Sequence, residues 1–318
     1  MAARKKSGKT RVPAHRYLRY LLTHSGTGED SHYIDIARDL SGTNRRLYRQ
    51  GKVYRIKSAT VHSSTGTTFV KFATAPNTWV TRNAWKRGKK AWDMMNEKAM
   101  TLHDGALKPR WHDYKVFLSP DMTSDVDQGV PVDSGDNTMS SGEWIYSKYQ
   151  SPDGTSSNDD FMATLMGDHQ GAAGSRTFIS LIQSYAEARA TVGAVPHGVD
   201  SDGDDDPLAN LFDSGTEQDE ILNDLQNSND LPPYAGSGTS ATTGDEYPGA
   251  GDNLPKPWVV REVSLDQDAN GAFAIARGFD AICGLVEIET SSSTDGDVIE
   301  VLLEIEVGDY KGVHAEEI

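Results

Sequence analysis

The sequence predicts an all-β protein, a jelly-roll sandwich with helical insertions in its connecting loops. Short segments rich in β-branched and aromatic residues recur along the chain, separated by clusters of glycine, serine, threonine, aspartate and proline. In residues 299–307 every second residue is Ile, Val or Leu, and three of the four between them are Glu, the pattern of a half-buried antiparallel strand. Many short strands joined by turn clusters are typical of a two-sheet sandwich.

Length and composition set broad limits on the protein. A chain of 318 residues with 36% hydrophobic and 25% charged residues suits a globular protein of one large β domain or two smaller ones. No apolar run approaches the roughly 20 residues of a membrane span, and the amino terminus lacks the apolar segment of an export signal. A single cysteine excludes an internal disulfide and any multi-cysteine zinc pattern. We therefore expect a chain that stays in water and is held together by packing and association.

Charge is divided along the chain. Residues 1–115 contain 24 Lys and Arg against 8 Asp and Glu, whereas residues 116–318 contain 7 against 39. The first twenty residues have no acidic residue and seven basic ones, which are Arg4, Lys5, Lys6, Lys9, Arg11, Arg16 and Arg19. Such an arm cannot bury enough surface to fold alone, and phosphate is its natural partner. Nucleic-acid binding without sequence preference is one interpretation; a tail that serves only solubility or targeting is the other.

The first strands follow the arm. Residues 17–22 form a short apolar patch, and residues 33–36 alternate as a strand does. Residues 53–57 and 67–72 are rich in β-branched and aromatic residues, and the Ser-Ser-Thr-Gly between them, at 63–66, has the composition of a turn. We predict a hairpin from these two segments.

One amphipathic helix is predicted from about residue 79. Its apolar face holds Ala84, Trp85, Gly88, Ala91, Trp92, Met95 and Ala99. The two tryptophans favour core or interface anchors over a base-stacking platform. A basic cluster on the same helix consists of Lys86, Arg87, Lys89 and Lys90. It is either an extension of the arm's phosphate-binding surface or an ordinary solvated helix face.

The middle of the chain mixes strands, helix and loop. Residues 111–118, 144–149 and 161–166 are predicted as strands, and residues 176–192 as a helix. Residues 194–251 have the composition of a surface insertion, with an acidic run at 200–206, a short helix around 217–226 and a Pro-Pro-Tyr that precedes sequence rich in glycine, serine and threonine.

The end of the chain is the most regular part. Strands are predicted at residues 258–265, 285–289 and 299–307, the last as the longest, and no internal repeat is present. The whole chain then has about eight or nine strands, which favours one jelly roll, since two would need sixteen. The expected organisation is a basic arm at 1–20 followed by a jelly-roll domain at 21–318 with its surface insertion around 194–251.

No motif in the sequence argues for catalysis. Ser7-Gly8-Lys9-Thr10 ends like a phosphate-binding loop, but Ala3 stands where the first glycine belongs and no strand precedes it. The acidic run at 200–206 departs from the EF-hand order, so we read it as a solvated loop, with a cation bridging two subunits as the alternative. Neither a metalloprotease His motif nor a nucleophile turn occurs. We expect no enzyme activity, no cofactor and no metal site.

Three segments carry a resemblance to a known family. They are residues 77–85 leading into the helix, the Pro-Pro-Tyr at 232–234 together with residues 247–249, and the closing residues 308–315. These segments resemble capsid proteins of small circular single-stranded DNA viruses known from marine and environmental sequences. The resemblance implies a jelly-roll subunit, icosahedral self-assembly and a basic amino-terminal arm facing the packaged genome.

The residues that fit such an arm are Arg4, Lys5, Lys6, Lys9 and Arg11. This arm is shorter than those of many such capsid proteins, so the basic helix at 82–90 would have to help neutralise the genome. The expected function is that of a viral major capsid protein, made inside the host cell and located in the virion, with copies of itself and a single-stranded DNA genome as partners and no membrane. The alternatives are a double jelly-roll capsid protein of a DNA phage, a non-assembling carbohydrate-binding sandwich of a virion, and a hydrolase on a β-sandwich.

Overall fold

The computed structural model contains fourteen strands and three α-helices within the residues it describes. These residues are 12–26, 28–63, 68–102, 111–123, 128–139, 144–150, 160–171, 176–189, 257–265 and 272–318. In chain order the elements are β1 (Tyr17–Thr23), β2 (Glu29–Asp35), α1 (Ile36–Asn44), β3 (Lys52–Ser63), β4 (Thr68–Thr74), α2 (Trp79–Leu102), β5 (Lys148–Gln150), β6 (Asp160–Thr164), β7 (Phe178–Ser180), α3 (Leu181–Arg189), β8 (Trp258–Leu265), β9 (Ala272–Ile282), β10 (Leu285–Ser292), β11 (Val298–Ile305), β12 (Val307–Gly308), β13 (Gly312–Val313) and β14 (Ala315–Glu317).

Nine of these strands form two antiparallel sheets. The first sheet has the spatial order β1, β11, β3, β9, with the short β14 pairing the beginning of β3. The second has the order β2, β10, β4, β8. Among the eight longer strands, β1 therefore lies beside β11, β2 beside β10, β3 beside β9 and β4 beside β8. The protein is mainly β, as the sequence predicts, and it is a two-sheet sandwich.

The inner faces of both sheets meet in one buried cluster. On β11 the residues Ile299, Val301, Leu303 and Ile305 are completely buried, and Val70 and Phe72 reach the same cluster from the second sheet. Alternate residues of a strand point to opposite faces, so the period-two pattern of this segment places one face in the core and its glutamates on the outside. The predicted strand is confirmed, although it ends at Ile305 and β3, with 12 residues, is longer.

A long excursion separates β4 from β8. It begins at residue 75, contains α2, α3 and the small sheet β5–β6–β7, and returns at residue 257. Its buried residues form a second cluster, which includes Trp85, Trp92, Tyr114 and Ile182 and which also takes in sandwich residues such as Leu285. The excursion is thus longer than the insertion predicted at 194–251, and that stretch itself lies outside the described residues.

The predicted hairpin is wrong in its pairing, although both of its strands exist. β3 belongs to the first sheet, between β11 and β9, whereas β4 belongs to the second, between β10 and β8. Strand composition indicates an extended backbone but not the partner. Here the core is filled from both sides, by Val61 of one sheet and Val70 of the other, and a hairpin would place both strands in one sheet.

Two longer elements, α1 and β9, and the short strands β13 and β14 are absent from the sequence prediction. The alternation of residues 33–36 continues into Ile36, but Asp35 ends the strand and caps the helix by accepting a hydrogen bond from the Arg38 amide at 3.0 Å. In the first half of β9 the usual pattern is inverted. Ala274 and Ala276 point inward, while Phe273 and Ile275 point outward and are 72% and 61% exposed. In this half of the strand the large apolar residues therefore give no sign of which face is buried.

The two helix predictions are partly confirmed. α2 spans Trp79–Leu102, and Ala84, Trp85, Gly88 and Trp92 of its predicted apolar face are buried, but Ala91, Met95 and Ala99 are exposed. Both tryptophans are core residues, as expected. Within residues 176–192, Phe178–Ser180 is a strand and the helix begins only at Leu181.

Residues 111–118 are extended and mostly buried but do not form a regular strand. The backbone amides of Lys115 and Val116 do not donate to a neighbouring strand. They donate to side-chain oxygens, of Ser147 at 2.9 Å and of Gln50 at 2.7 Å respectively. Phe117 alone makes a bridge, to Thr164 of β6. Period-two patterning detects the extended backbone here. Side chains replace a neighbouring strand at Lys115 and Val116, whereas Phe117 and Leu118 share backbone hydrogen bonds with residues 163–166.

Candidate nucleic-acid interface

The arm enters the sandwich at its first strand. Arg4, Lys5, Lys6, Lys9 and Arg11 lie outside the described residues, which begin at Val12. β1 begins at Tyr17, so residues 17–20 of the predicted arm belong to the sandwich. The base of the arm, residues 12–16, lies against the end of α1. The His15 amide donates to Asn44 Oδ1 at 2.7 Å, and Asn44 Nδ2 donates back to the His15 carbonyl at 3.0 Å.

A glycine near the carboxyl terminus fits against this base. Gly312 has a φ of +98°, and a Cβ at this position would collide with the Val12 carbonyl and lie 2.7 Å from the Ala14 Cβ. A larger residue would be strained in conformation and would push the base of the arm away. The arm is therefore attached to the sandwich at a defined place, beside α1 and the β12–β13 turn.

Arg16 and Arg19 have partners within the protein. Arg16 Nη1 donates to the Ile305 carbonyl at 3.0 Å and lies 3.8 Å from Glu304 Oε1. Arg19 Nε donates to Glu300, and its Nη1 lies 2.5 Å from Asp136 Oδ1. The hydrogen bonds that Arg19 donates to Glu300 and, with a smaller effect, to Asp136 raise the pKa of Arg19 above its usual value. These two cations, predicted to contact nucleic acid, are largely neutralised where they stand.

The basic cluster of α2 is divided by the structure. Lys86 and Lys90 are exposed, lie one turn apart and form no ion pair with a described residue. Lys89 donates to Asp93 of the next turn. Arg87 lies over the Tyr185 ring, with its guanidinium carbon 5.6 Å from the ring centroid. Lys86 and Lys90 are thus the members of the cluster best placed to meet an external anion.

Sequence reasoning missed a third basic group, at the base of the arm. We call Arg45, Arg46 and Lys311 the root cluster. Arg46 Nη1 donates to the Pro13 carbonyl at 3.2 Å, and Lys311 Nζ donates to the Leu47 carbonyl. The signal in the sequence was the run Arg45-Arg46 with Arg49 and Lys52 close behind. It gave no hint that the distant Lys311 and the base of the arm would join it.

A buried polar junction connects the sandwich to the excursion. Asp35 Oδ2 accepts hydrogen bonds from Gln50 Nε2 at 2.7 Å and from Trp144 Nε1 at 3.0 Å. Asp39 accepts from Tyr20 OH at 2.7 Å and from Arg38 Nε at 2.8 Å. Burial raises the pKa of Asp35, and it raises the pKa of Asp39 to about 6.

Arg38 extends the same junction to the loop before β5. Its Nη1 donates to Gln128 Oε1 at 2.9 Å, and its Nη2 donates to the Gly129 carbonyl. Because each donor and acceptor of the junction is matched, removal of one partner would leave a buried polar group unpaired, at a cost of about 1–3 kcal/mol. The junction holds parts of the molecule together.

An apolar groove of about 340 Å³ lies between α2, α3 and the small sheet. Its floor includes Ala84, Gly88 and Ala91, and Phe161 and Tyr185 form its walls. Among the described residues that line it, Arg87 is the one ionised side chain. Because these described lining residues include no carboxylate and no histidine, they offer binding surface but no acid–base pair.

Titratable residues elsewhere in the described part of the chain do not assemble into a metal site. No group of three or more His, Cys, Asp or Glu within the described ranges is placed to hold a metal ion. The acidic run at 200–206 lies outside those ranges. His112 stacks on Trp92 with ring centroids 4.5 Å apart, and Asp113 pairs with Arg49 at 2.8 Å, so these neighbours in sequence have separate partners.

Comparisons with known proteins do not identify a family for this chain. The chain matches no protein-family model, no curated protein and no solved structure. Within the described ranges, no helix has both the length and the apolar character needed to cross a membrane.

Proposed function

We propose that this protein is a viral major capsid protein with a single jelly-roll fold, which assembles with copies of itself into a closed shell and contacts packaged single-stranded DNA through its basic amino-terminal arm. The observation that carries the proposal is the strand order, taken together with the position of the arm directly before the first strand. Icosahedral symmetry and residence in the virion belong to the same proposal and rest on the family resemblance.

The strand order supports the jelly-roll assignment. Rolling up one long hairpin places the first of eight strands beside the eighth, the second beside the seventh, the third beside the sixth and the fourth beside the fifth. The observed neighbours are β1 with β11, β2 with β10, β3 with β9 and β4 with β8. Eight-stranded jelly rolls of two Greek keys are common in viral shells. Eight sandwich strands form one such set, which favours a single over a double jelly roll.

The division of charge supports the second half of the proposal. An arm with five basic and no acidic residues through position 11 is joined to a protein of net charge −16. Such an arm attracts the phosphate backbone, while the acidic body is repelled by it. This division of charge suits a subunit whose arm contacts the packaged genome and whose remaining surface contacts other subunits or solvent.

The ion pairs of the basic residues support a smaller set of DNA contacts than the sequence suggests. We assign the DNA contacts to Arg4, Lys5, Lys6, Lys9 and Arg11, with Lys86 and Lys90 of α2 as the secondary patch. Arg16 and Arg19, which face Glu304 and Glu300 of the neighbouring strand, instead fasten β1 to β11.

Assembly is the direct test of the proposal. The purified full-length protein, with and without circular single-stranded DNA, should form closed particles of uniform size, observed by negative-stain microscopy and by sedimentation velocity. A variant lacking residues 1–11 should remain folded, because β1 begins only at Tyr17. Full-length protein that remains monomeric at high concentration, with and without DNA, would contradict the proposal.

The role of the arm has its own measurement. Five phosphate contacts on a single strand give a slope of about 0.7 × 5, or roughly 3.5 log units of affinity per log unit of salt. Deleting residues 1–11 should reduce the salt dependence of single-stranded DNA binding by up to that amount, while the far-ultraviolet circular dichroism stays that of the full chain. An unchanged slope would remove the arm from the mechanism.

A further inference from the structure

We propose that the root cluster, Arg45, Arg46 and Lys311, is a fixed phosphate-binding site that holds the nucleic-acid backbone where the arm leaves the sandwich. This inference rests on the proposed function and adds a site to it. The root cluster stands on folded elements and would contact the backbone at a defined point.

The backbone of α1 places the two arginines. Arg45 follows the last residue of the helix with φ 53° and ψ 40°, and its amide donates to the Ser41 carbonyl. This left-handed turn ends the helix and leaves both Arg45 and Arg46 exposed. The hydrogen bond from Arg46 to the Pro13 carbonyl then fixes the base of the arm beside them.

Lys311 reaches the same place from the carboxyl-terminal end of the chain. Its Nζ donates to the Leu47 carbonyl and lies 5.7 Å from the Tyr48 ring centroid and 5.4 Å from that of Tyr310. Gly312, the next residue, packs against Val12 and Ala14 of the arm. Arg46 and Lys311 therefore lie beside the point at which the arm begins, and Arg45 is the chain neighbour of Arg46.

The root cluster differs from most other cations of the sandwich in lacking carboxylate partners. Arg55 pairs with Asp280 at 2.9 Å, Lys57 with Glu304 at 2.9 Å, and Lys71 with Glu29 at 2.7 Å. Among the described residues no carboxylate forms an ion pair with a member of the root cluster, whose observed hydrogen bonds go to carbonyl groups. In a protein of net charge −16, such a concentration of unneutralised positive charge favours an anionic ligand.

Neighbouring charge strengthens the local positive potential. Burial, followed by the nearby Arg49, lowers the pKa of Lys311; Asp113 acts in the opposite direction, and Lys52 and Arg46 contribute to the lowering. Arg49 and Lys52 are themselves paired with Asp113 and Glu317, so they are not counted as ligands. An anion bound here would relieve the repulsion among these cations.

A purely structural role is the alternative. Cations near the carboxyl end of a helix favour its dipole whether or not a ligand is present. That role would affect stability but not the number of counterions released when DNA binds. The salt dependence of binding therefore separates the two roles, since each phosphate contact on a single strand contributes about 0.7 to the slope.

The experiment compares two triple variants of the full-length protein. One is Arg45→Gln, Arg46→Gln, Lys311→Gln at the root cluster; the matched control is Arg55→Gln, Lys57→Gln, Lys71→Gln, which removes the same charge from carboxylate-paired positions. Binding of a fluorescently labelled 20-nucleotide oligo(dT) is measured by anisotropy between 50 and 200 mM NaCl. The slope of log affinity against log salt should be smaller by about 2 for the root-cluster variant than for the wild type. Between 50 and 200 mM NaCl the affinity of this variant should therefore fall roughly twenty-fold less than that of the wild type. The slope of the control should change much less.

The outcomes are distinguishable from failure of the capsid proposal. Equal slopes for the two triple variants would overturn the phosphate site even if wild-type shells form, whereas absence of shells would count against the capsid assignment even if the slopes differ. Thermal melting checks that each variant is folded. If loss of the Lys311 bond prevents folding, the double variant Arg45→Gln, Arg46→Gln tests the same site, with an expected loss of about 1.4 from the slope.

Discussion

The sandwich and the excursion between β4 and β8 are stabilised in different ways. The sandwich is two antiparallel sheets whose inner faces fill one apolar cluster. The excursion is a mixture of two helices, a small sheet and extended segments, and it joins the sandwich through a second aromatic cluster and through the Asp35–Arg38–Asp39 junction. Regular strand pairing therefore stabilises the sandwich, whereas side-chain contacts attach the excursion to it.

The largest effect is expected from the core of the sandwich. Phe72 is fully buried and packs against Phe279 of the other sheet, with ring centroids 5.8 Å apart. Phe72→Ala should lower the free energy of unfolding by about 3–5 kcal/mol, because it leaves a cavity between the two sheets. Denaturant titration followed by fluorescence and by circular dichroism measures the loss.

The matching substitution in the excursion is Trp92→Ala. Trp92 packs in the second cluster against His112 and Tyr114. If the excursion is attached as described, hydrogen exchange should accelerate in α2 and the small sheet and change little in β3 and β11. Equal acceleration in all four elements would show that the two regions unfold as one unit.

A smaller loss is expected where α2 contacts its neighbours most closely. A Cβ on Gly88 would lie 2.7 Å from Leu181 Cδ2 and 2.8 Å from Tyr114 OH. Gly88→Val should therefore lower the free energy of unfolding by roughly 1–3 kcal/mol through overpacking. Ala91→Val, at the next exposed position of the same helix, is the control and should change the melting temperature much less.

The smallest effect concerns pH and tests the junction between the two regions. The pKa of Asp39 is about 6 in the fold against an ordinary value of 3.8, so between these values the folded protein holds more protons than the unfolded chain. The contribution of Asp39 to the free energy of unfolding is therefore greatest at low pH and is lost as pH rises through about 6, by at most about 1.4 kcal/mol per pH unit. Asp39→Asn removes this contribution.

Urea titrations between pH 4 and pH 7 measure this dependence. The free energy of unfolding of the wild type should fall more steeply with rising pH than that of the Asp39→Asn variant. Identical slopes for the two proteins would mean that Asp39 keeps an ordinary pKa and that its pairing with Arg38 and Tyr20 outweighs burial.

Regular parts of the molecule could be predicted from the sequence, and non-local pairing could not. β8 has the predicted bounds, and β10 and β11 contain most of the predicted residues, because turn clusters and period-two patterning are local properties of the chain. The partner of β3 is instead β11, which lies more than two hundred residues away in sequence. β9 escaped prediction because its first half has Ala274 and Ala276 at the inward positions and Phe273 and Ile275 at the exposed ones.

The same reason limits what could be predicted of the candidate site. The basic residues of the arm and of α2 are visible as runs in the sequence. Which of them are neutralised is a tertiary property: Arg19 meets Glu300, 281 residues away in sequence. Lys311 likewise joins Arg46 only through the fold. Charge patterning therefore indicates where positive charge is, and packing decides which charges remain for a ligand.

The central claim is that the cationic arm lies inside a shell that copies of this chain form. The most direct test is limited trypsin digestion of assembled particles and of free subunits, with mass spectrometry of the peptides released from residues 1–11. The account predicts that cleavage after Lys5, Lys6, Lys9 and Arg11 is rapid in free subunits and strongly suppressed in intact particles. Equally rapid release of these peptides from intact particles would place the arm on the exterior and contradict the account.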